Sequence, residues 1–221
     1  MGDMPWRSIR AASKAAIKRK AVLDVAGIEH LPSSGPVLLA ARHYHHLFDG
    51  ACLVATIPRP VTIIVGLDWI QSGALRGGMS AACKAAGWPI VYRSNAQQPV
   101  NPALVRASNL NATKISIQHL REGKIVIVFP EGFPNIDPGY TPKTAEDEFL
   151  PFEPGVVRMA TIAARAGVHA PIVPVGFSYQ RGDKWRIQMR FGAPITVERR
   201  TDETDALARI ESEVRRLSHP T

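Results

Sequence analysis

The sequence predicts an α/β fold: one domain with a mixed, mostly parallel sheet flanked by helices and preceded by a basic helix. Apolar, β-branched segments alternate along the chain with longer amphipathic segments, which is the pattern of strand–helix–strand units. The strongest strand segments are apolar throughout, as expected when helices cover both faces of a sheet. The 221 residues contain no internal repeat or composition break, so we expect a single domain with a substantial core.

A basic amphipathic helix is predicted over residues 1–24, and residues 25–221 are predicted to form the domain itself. Apolar side chains recur at helical spacing at Trp6, Ile9 and Ile17, whereas arginines and lysines largely avoid that stripe. Such a helix can lie in a membrane interface with its apolar face inserted. It can equally dock on its own domain and leave its lysines in solvent. The sequence leaves both possibilities open.

Local signals place the remaining elements in chain order. Short, wholly apolar or β-branched runs, such as VLLAA at 37–41, predict buried strands. Longer segments with helical spacing predict helices, which end before prolines or at a glycine such as Gly123. A proline-rich stretch at 133–152 has neither pattern and predicts a long irregular loop. The predicted elements are strand 37–41, helix 47–57, strand 61–66, helix 72–87, strand 88–93, helix 102–123, strand 124–132, helix 155–167, strands 170–179 and 185–195 as an antiparallel hairpin, and helix 202–217.

The net charge and the cysteine content indicate which binding partners and which cellular compartment to expect. The formal net charge is +8 and the isoelectric point is near 9.9, so we expect an anionic partner. The chain has no zinc-finger spacing and no aromatic RNA-binding motif, so nucleic acid is not expected. Two cysteines, without metal-binding spacing, predict a reducing compartment. No apolar run reaches the roughly 20 residues of a membrane span, and no signal-peptide pattern is present. We therefore expect the protein to be located on the cytoplasmic side of the membrane.

Three histidines and an aspartate follow the first strand of the domain, in the stretch ARHYHHLFDG at 41–50. One interpretation is a zinc-dependent hydrolase with His43, His45 and Asp49 as ligands, although a catalytic zinc needs about three protein ligands and the other histidines do not cluster. The other is a general base, one imidazole oriented by a carboxylate. His45 and Asp49 are spaced i, i+4 and would share a helix face. His43 would reach Asp49 only from the turn before the helix.

Four further segments accompany this stretch: GWPIVYR at 87–93, FPEG at 129–132, FEPG at 152–155 and IVPV at 172–175. Together with GPVLLAARH, and in this order, they resemble the motifs of the glycerolipid acyltransferase family, which includes the bacterial 1-acyl-glycerol-3-phosphate acyltransferases. In that family a strand of the kind GPVIVAANH leads into an NHxxxxD motif, followed by GxxFIxR, FPEGTRS, FKxG and a VPV strand. The resemblance covers roughly residues 25–195, most of the chain.

The resemblance implies a glycerol-phosphate acyltransferase-like fold, with residues 25–221 as the acyltransferase domain. It also implies a reaction: a fatty acyl group passes from acyl-CoA or acyl carrier protein to a hydroxyl of a lysophospholipid, such as 1-acyl-glycerol-3-phosphate, in phospholipid biosynthesis. No cofactor or metal is expected, because the thioester is a co-substrate. We expect the enzyme to sit peripherally on the cytoplasmic side of the cell membrane, in contact with anionic lipid. A non-catalytic lipid-surface binding protein is a further hypothesis.

The resemblance also implies roles for individual residues. The catalytic base would be His43, oriented by Asp49, with His45 as the alternative base. The residues expected to bind substrate are Arg93 for the acceptor phosphate, Glu131 and Gly132 for acceptor hydroxyls, and Pro174 for the acyl region.

Three departures from the family pattern bear on these roles. With the four intervening residues of the family motif, the position before Asp49 is Tyr44, which is no base; His43 has five intervening residues and His45 has three. We favour His43 because it keeps the strand register. FPEG is followed by Phe-Pro instead of Thr-Arg, and Glu153 replaces the usual lysine. Both changes remove a cation from the expected acceptor site, which puts a phosphate-bearing acceptor in question.

Overall fold

The computed structural model describes residues 4–67, 70, 72–93 and 100–219. Within these residues the α-helices are α1 Met4–Lys20, α2 Phe48–Thr56, α3 Gly73–Ala86, α4 Pro102–Arg121, α5 Gly155–Arg165 and α6 Glu203–Leu217. The strands are β1 Ala21–Ala26, β2 Val37–Ala41, β3 Val61–Ile63, β4 Val65–Gly66, β5 Ile90–Val91, β6 Ile125–Val128, β7 Ile172–Gln180 and β8 Trp185–Phe191. Strands and helices alternate through most of the chain, as predicted.

The main sheet has the strand order β1-β8-β7-β2-β6-β3. Its neighbouring strands are parallel except β7 and β8, which form the predicted antiparallel hairpin. Strands β2 and β6 lie in the interior of the sheet and are apolar throughout, as expected for strands covered on both faces. The predicted fold class, a mixed and mostly parallel α/β sheet, is confirmed.

Two cores cover the two faces of this sheet. Alternate side chains of β2 point to opposite sides, so Val37 and Leu39 join one core while Leu38 and Ala40 join the other. The first core includes buried side chains of α1 and α2, and the second includes those of α4, α5 and α6. The carboxyl ends of the parallel strands therefore lie at one edge, between two helical layers, where α/β sheets bind ligands.

The N-terminal segment differs from the prediction over residues 1–24. Of the described residues in this segment, Met4–Lys20 are helical. The chain then continues directly into β1, Ala21–Ala26, a strand that the sequence did not predict. Residues 1–3 lie outside the described residues. The apolar stripe of α1 faces the domain: Ile17 is buried, and Trp6 and Ile9 pack against the same core as α2. Of the two possibilities left open for this helix, docking on its own domain is the one observed.

Several predicted strands are shorter in the structure: the segment 124–132 forms a strand only at Ile125–Val128, and the segment 185–195 only at Trp185–Phe191. The segment 61–66 is divided into β3, which joins the main sheet, and β4, which pairs with β5 in a separate two-stranded sheet. Of the segment 88–93, only Ile90–Val91 is a strand. The long loop predicted at 133–152 is irregular in the structure. No helix in the described part of the chain is long and apolar enough to cross a membrane.

Candidate active site

The turn between β2 and α2 is folded around the carboxylate of Asp49. Asp49 lies in the first turn of α2 and is fully buried. Its Oδ2 atom accepts hydrogen bonds from the backbone N–H groups of Tyr44, at 2.7 Å, and His45, at 2.9 Å. A carboxylate at a helix N-terminus is also favoured by the helix dipole. These bonds draw the turn inward and accommodate the extra residue between His43 and Asp49.

His43 is the histidine whose ring pairs with Asp49. Its Nδ1 atom lies 2.9 Å from Asp49 Oδ2, and its ring stacks on Phe129 with 4.4 Å between centroids. The hydroxyl of Tyr179, on β7, donates to Asp49 Oδ1 at 2.5 Å. The carboxylate therefore fixes Nδ1 of His43 as the protonated nitrogen and leaves Nε2 as the basic one.

The ring of His45 has a different partner. Its Nδ1 atom accepts from the backbone N–H groups of Leu47, at 3.2 Å, and Phe48, at 3.4 Å, so it caps the start of α2. Burial lowers the pKa of His45 from 6.5 to about 4. A neutral ring whose nitrogen serves the helix is poorly suited to take a proton. Between the two predicted bases, only the side chain of His43 contacts the aspartate.

Glu131 follows β6 and holds the backbone of His43. Its Oε1 atom accepts from the His43 N–H at 2.8 Å. Its Oε2 atom accepts from the Lys143 ammonium, at 2.6 Å, and from the Leu150 N–H, at 3.2 Å. Because both oxygens already have donors within the protein, the predicted contact of Glu131 with acceptor hydroxyls would compete with these bonds.

Arg93 lies beside Gly132, the residue that follows Glu131. Its Nη1 atom donates to the carbonyl oxygen of Gly132 at 2.9 Å, and its guanidinium lies over the ring of Phe133, 3.9 Å from the centroid. Gly132 has φ +73°, a left-handed conformation that favours glycine. The turn after β6 thus presents its carbonyl to the arginine and brings Arg93 to the same edge of the sheet as His43.

Two cavities meet at this edge and share the lining residues Ile64, Arg93, Phe129 and Gly132. The first, of about 400 Å³, also includes His43 and extends between α1, α2 and α3. Most of its other lining residues are apolar: Ile9, Leu47, Ala51, Val54, Ile63, Val65, Leu75, Met79 and Trp88. The second cavity, of about 470 Å³, lies toward α4 and α5 and carries charged residues at Arg158 and Glu153. Both volumes are typical of small-molecule sites.

Comparison with known proteins gives the family and the fold of the chain. The model of the acyltransferase family matches residues 22–178, more than half of the chain. The chain belongs to this family. The fold also resembles the crystal structure of the 1-acyl-sn-glycerophosphate (LPA) acyltransferase PlsC from Thermotoga maritima, with a TM-score of 0.65 and 16% sequence identity. That alignment covers 96% of this chain and 77% of PlsC. No protein with curated annotation matches the sequence.

The acyltransferase carries two residues at this site that sequence reasoning missed. Tyr179 holds the far oxygen of Asp49, and Lys143 holds Glu131. Tyr179 gave a weak signal, because it lies in a predicted strand that ends at the same edge. Lys143 gave none, since a single lysine in a proline-rich loop is usually solvated.

One residue predicted to contact substrate, Pro174, lies away from the two cavities. Pro174 lies inside β7, in register with Ala40, and is buried. It lines neither of the two cavities described, and its ring faces Gly192. Pro174 is therefore packed within the sheet, and the two cavities give no support to the prediction that it lines the acyl region. Arg93 and Gly132 do line the cavities.

The zinc hypothesis finds no ligand set in the part of the chain that the structure describes. No group of three or more histidine, cysteine, aspartate or glutamate side chains is placed to hold a metal ion there. Of the three predicted ligands, Asp49 is saturated by four hydrogen bonds and His45 Nδ1 by the start of α2. The geometry is instead that of an imidazole oriented by a carboxylate.

Proposed function

We propose that this acyltransferase transfers a fatty acyl group from an acyl thioester, acyl-CoA or acyl carrier protein, to a hydroxyl of a lysophospholipid such as 1-acyl-glycerol-3-phosphate. The observation that carries the proposal is the His43–Asp49 pair at the mouth of an apolar cavity, with Arg93 on the same wall. One arrangement thus combines a base, a space for an acyl chain and a cation for a phosphate. The resemblance to an LPA acyltransferase fold agrees with this substrate class.

In the proposed reaction, His43 Nε2 removes the proton of the acceptor hydroxyl as its oxygen attacks the thioester carbonyl. The new C–O bond gives a tetrahedral intermediate with negative charge on the former carbonyl oxygen. Its collapse breaks the C–S bond, and the imidazolium of His43 returns the proton to the departing thiolate. Asp49 keeps the imidazole in the required tautomer and stabilises its charged form. The products are an acylated lipid and a free thiol.

The first cavity is the proposed site of the acyl chain. Apolar side chains from three helices surround it, and burial of each methylene contributes about 0.8 kcal/mol. Because His43 lies on the wall of the cavity, a chain inside it would bring the thioester carbonyl to the base.

The acceptor is proposed to approach through the second cavity, with its phosphate near Arg93. Two features there follow from departures noted in the sequence. Phe133, in place of a polar residue, is buried beneath the guanidinium of Arg93. Glu153 is exposed at the cavity wall before α5, and Arg158 follows on α5, in its first turn. In this proposal Arg93 and Arg158, which both line the second cavity, together supply the positive charge that a phosphate needs.

Contact with an anionic membrane, on the cytoplasmic side, is proposed through the surface around the first cavity. The outward side of α1 exposes Arg7, Lys14, Lys18 and Arg19. Across the cavity mouth, α3 has no acidic residue and exposes Leu75. Since the apolar stripe of α1 faces its own domain, the attraction would be largely electrostatic, and the apolar contact would come from α3.

The decisive experiment is thiol release from a long-chain acyl-CoA by the purified protein, with and without lysophosphatidic acid, repeated with acyl carrier protein as donor. Release that depends on the lysolipid is the expected result. A series of acceptors with and without a phosphate tests the role of Arg93. If neither donor releases thiol with any lysophospholipid while a control enzyme is active, the proposed reaction is wrong. Salt-dependent vesicle binding without turnover would then point to the lipid-surface protein.

A further inference from the structure

Lys143 is a buried lysine at the back of the site. It belongs to the irregular loop that follows β6, and its side chain is 0% exposed, as is that of Glu131. Lysine is almost never fully buried unless it is paired, because removing an ammonium from water is costly. The loop therefore delivers this side chain to a defined position, 12 residues beyond its carboxylate partner.

All three donors of the ammonium have acceptors. Nζ lies 2.6 Å from Glu131 Oε2, 3.0 Å from Asn135 Oδ1 and 2.9 Å from the carbonyl oxygen of His43. An ammonium offers three N–H donors, so its hydrogen-bonding capacity is filled. Burial lowers the pKa of Lys143, and the Glu131 carboxylate opposes that shift. The ammonium is saturated by the protein, which argues against a role in binding substrate.

The partners of Lys143 enclose the backbone of a single residue. Glu131 Oε1 accepts from the N–H of His43, while Lys143 donates to its carbonyl. The ion pair then joins the two sides. Both polar backbone groups of His43 are thus held by one buried pair, whereas the side chain is held separately by Asp49 and Phe129.

We propose that Lys143 is a positioning residue, which together with Glu131 clamps the backbone of His43 so that its ring meets both Asp49 and the acceptor. The inference rests on the proposed function, in which His43 is the base. FPEG is followed here by Phe-Pro instead of the usual Thr-Arg, so no cation follows the motif directly. Lys143 of the loop provides one beside Glu131. A shift of about 1 Å in a catalytic group can cost about a hundredfold in rate, which is the scale on which the clamp would act.

The test compares four proteins: wild type, E131Q, K143M and the double variant K143M/E131Q. Removing Lys143 alone leaves Glu131 as a buried, unpaired charge, so K143M can fail to fold. E131Q likewise leaves the Lys143 ammonium buried without its carboxylate, so its unfolding is measured as well. The double variant removes both charges, and comparison with E131Q reports the loss of the ammonium together with its bonds to the His43 carbonyl and Asn135. K143R is the conservative variant, with a cation at the same position. Thermal unfolding of each variant defines a temperature at which all the compared proteins are folded.

Two readouts decide the result. At that temperature, kcat of K143M/E131Q should be about ten- to a hundredfold below that of E131Q, with the acceptor KM little changed. K143R should have a higher kcat than K143M, because it keeps a cation at this position. The downfield proton NMR resonance of the His43 Nδ1–H, assigned by its loss in H43A, should shift or broaden in the double variant and persist in E131Q.

An unchanged resonance in the double variant overturns the inference, whatever kcat does, because His43 would then be held without Lys143. Equal kcat values for E131Q and the double variant overturn it as well. If wild type releases no thiol from any donor, the proposed function fails instead, and the resonance alone then decides whether the clamp exists.

Discussion

At the scale of single residues, the site depends on how Asp49 divides its hydrogen bonds. Oδ2 accepts hydrogen bonds from the His43 ring and from two backbone N–H groups, and Oδ1 accepts one from the Tyr179 hydroxyl. A buried carboxylate with four donors is fully compensated and rigid. This arrangement distinguishes two histidines that are two residues apart.

The replacement H43A is expected to lower kcat by about 10²- to 10⁴-fold, the usual contribution of a positioned base. H45N should keep most of its turnover, because the His45 ring serves the start of α2. Steady-state thiol release by the two variants, with folding checked by circular dichroism, makes the comparison. The opposite pattern, an active H43A and an inactive H45N, would assign the base to His45.

Stability should depend on pH through His45. In the unfolded chain its pKa is near 6.5, and burial lowers it to about 4 in the folded protein. Between these values the unfolded state binds the extra proton, so stability is full above pH 6.5 and falls as the pH drops toward 4. The contribution is on the order of 3 kcal/mol.

Thermal unfolding of wild type and H45N across this pH range measures the effect. The variant should lose less stability than wild type between pH 7 and pH 4.5. Parallel pH curves for the two proteins would show that His45 is not the group responsible.

Much of the site was predictable at this scale, because His43, Asp49, Arg93 and Glu131 follow strand segments whose ends meet at one edge. The choice between His43 and His45 rested on strand register, which one extra residue in the turn makes ambiguous. Lys143 was beyond prediction, since its partner lies 12 residues away across a loop without periodicity.

At the scale of elements, α3 forms the outer wall of the first cavity. Only Cys83 of its residues is buried, while Met79 is partly exposed and faces the cavity. The helix is rich in glycine and alanine and packs loosely against the rest of the domain. Changes on its inner side should therefore alter the cavity with little effect on folding.

The variant M79W should shorten the acyl chain that the enzyme prefers. The indole would fill space that about two methylenes could use, so kcat/KM for a long-chain donor should fall about tenfold relative to a short-chain donor. A85W, on the same helix but not among the residues lining the first cavity, is the matched control. Turnover with a series of acyl-CoA donors measures the shift. An identical chain-length profile in both variants would move the acyl site elsewhere.

Element prediction failed where local signals were weak. Strand β1 follows a basic helix without a turn, and its alternating burial is that of a solvent-facing strand, so residues 21–24 resembled the end of the helix. The division of segment 61–66 depends on pairing with β5, a tertiary contact that no local pattern contains.

At the scale of the whole molecule, the basic residues behind the net charge of +8 are concentrated in part on one helix, α1. The outward side of α1 is basic and lies on the face of the sheet that carries the first cavity, whereas α4, α5 and α6 cover the opposite face. If an anionic membrane is the partner, the position of the charge should matter more than its sum.

Reversing three charges on α1, in K14E/K18E/R19E, should therefore weaken binding to vesicles that contain anionic lipid by well over tenfold, at about 1 kcal/mol per basic residue. The control K114E/R165E/R209E makes the same change in net charge on exposed residues of the opposite layer. Vesicle sedimentation at low and high salt measures both. Equal losses in the two triple variants would mean that net charge alone governs the attraction.

The fold class was predictable at this scale, but the strand order was not. Alternating strands and helices limit the protein to a layered α/β sheet. Which strand lies beside which depends on long-range pairing, and the parallel contact of β1 with β8 joins segments from the two ends of the domain.

The pairing of β1 with β8 has a consequence for folding during synthesis. Ala21 pairs with Trp185, so β1 has no partner in the main sheet until nearly the whole domain has left the ribosome. During synthesis a basic helix and an unpaired strand edge are exposed together, a state open to premature association with other surfaces. Parallel pairing between such distant segments is also slow to form. The order in which the ribosome releases the chain thus makes the closure of this edge one of the last events in folding.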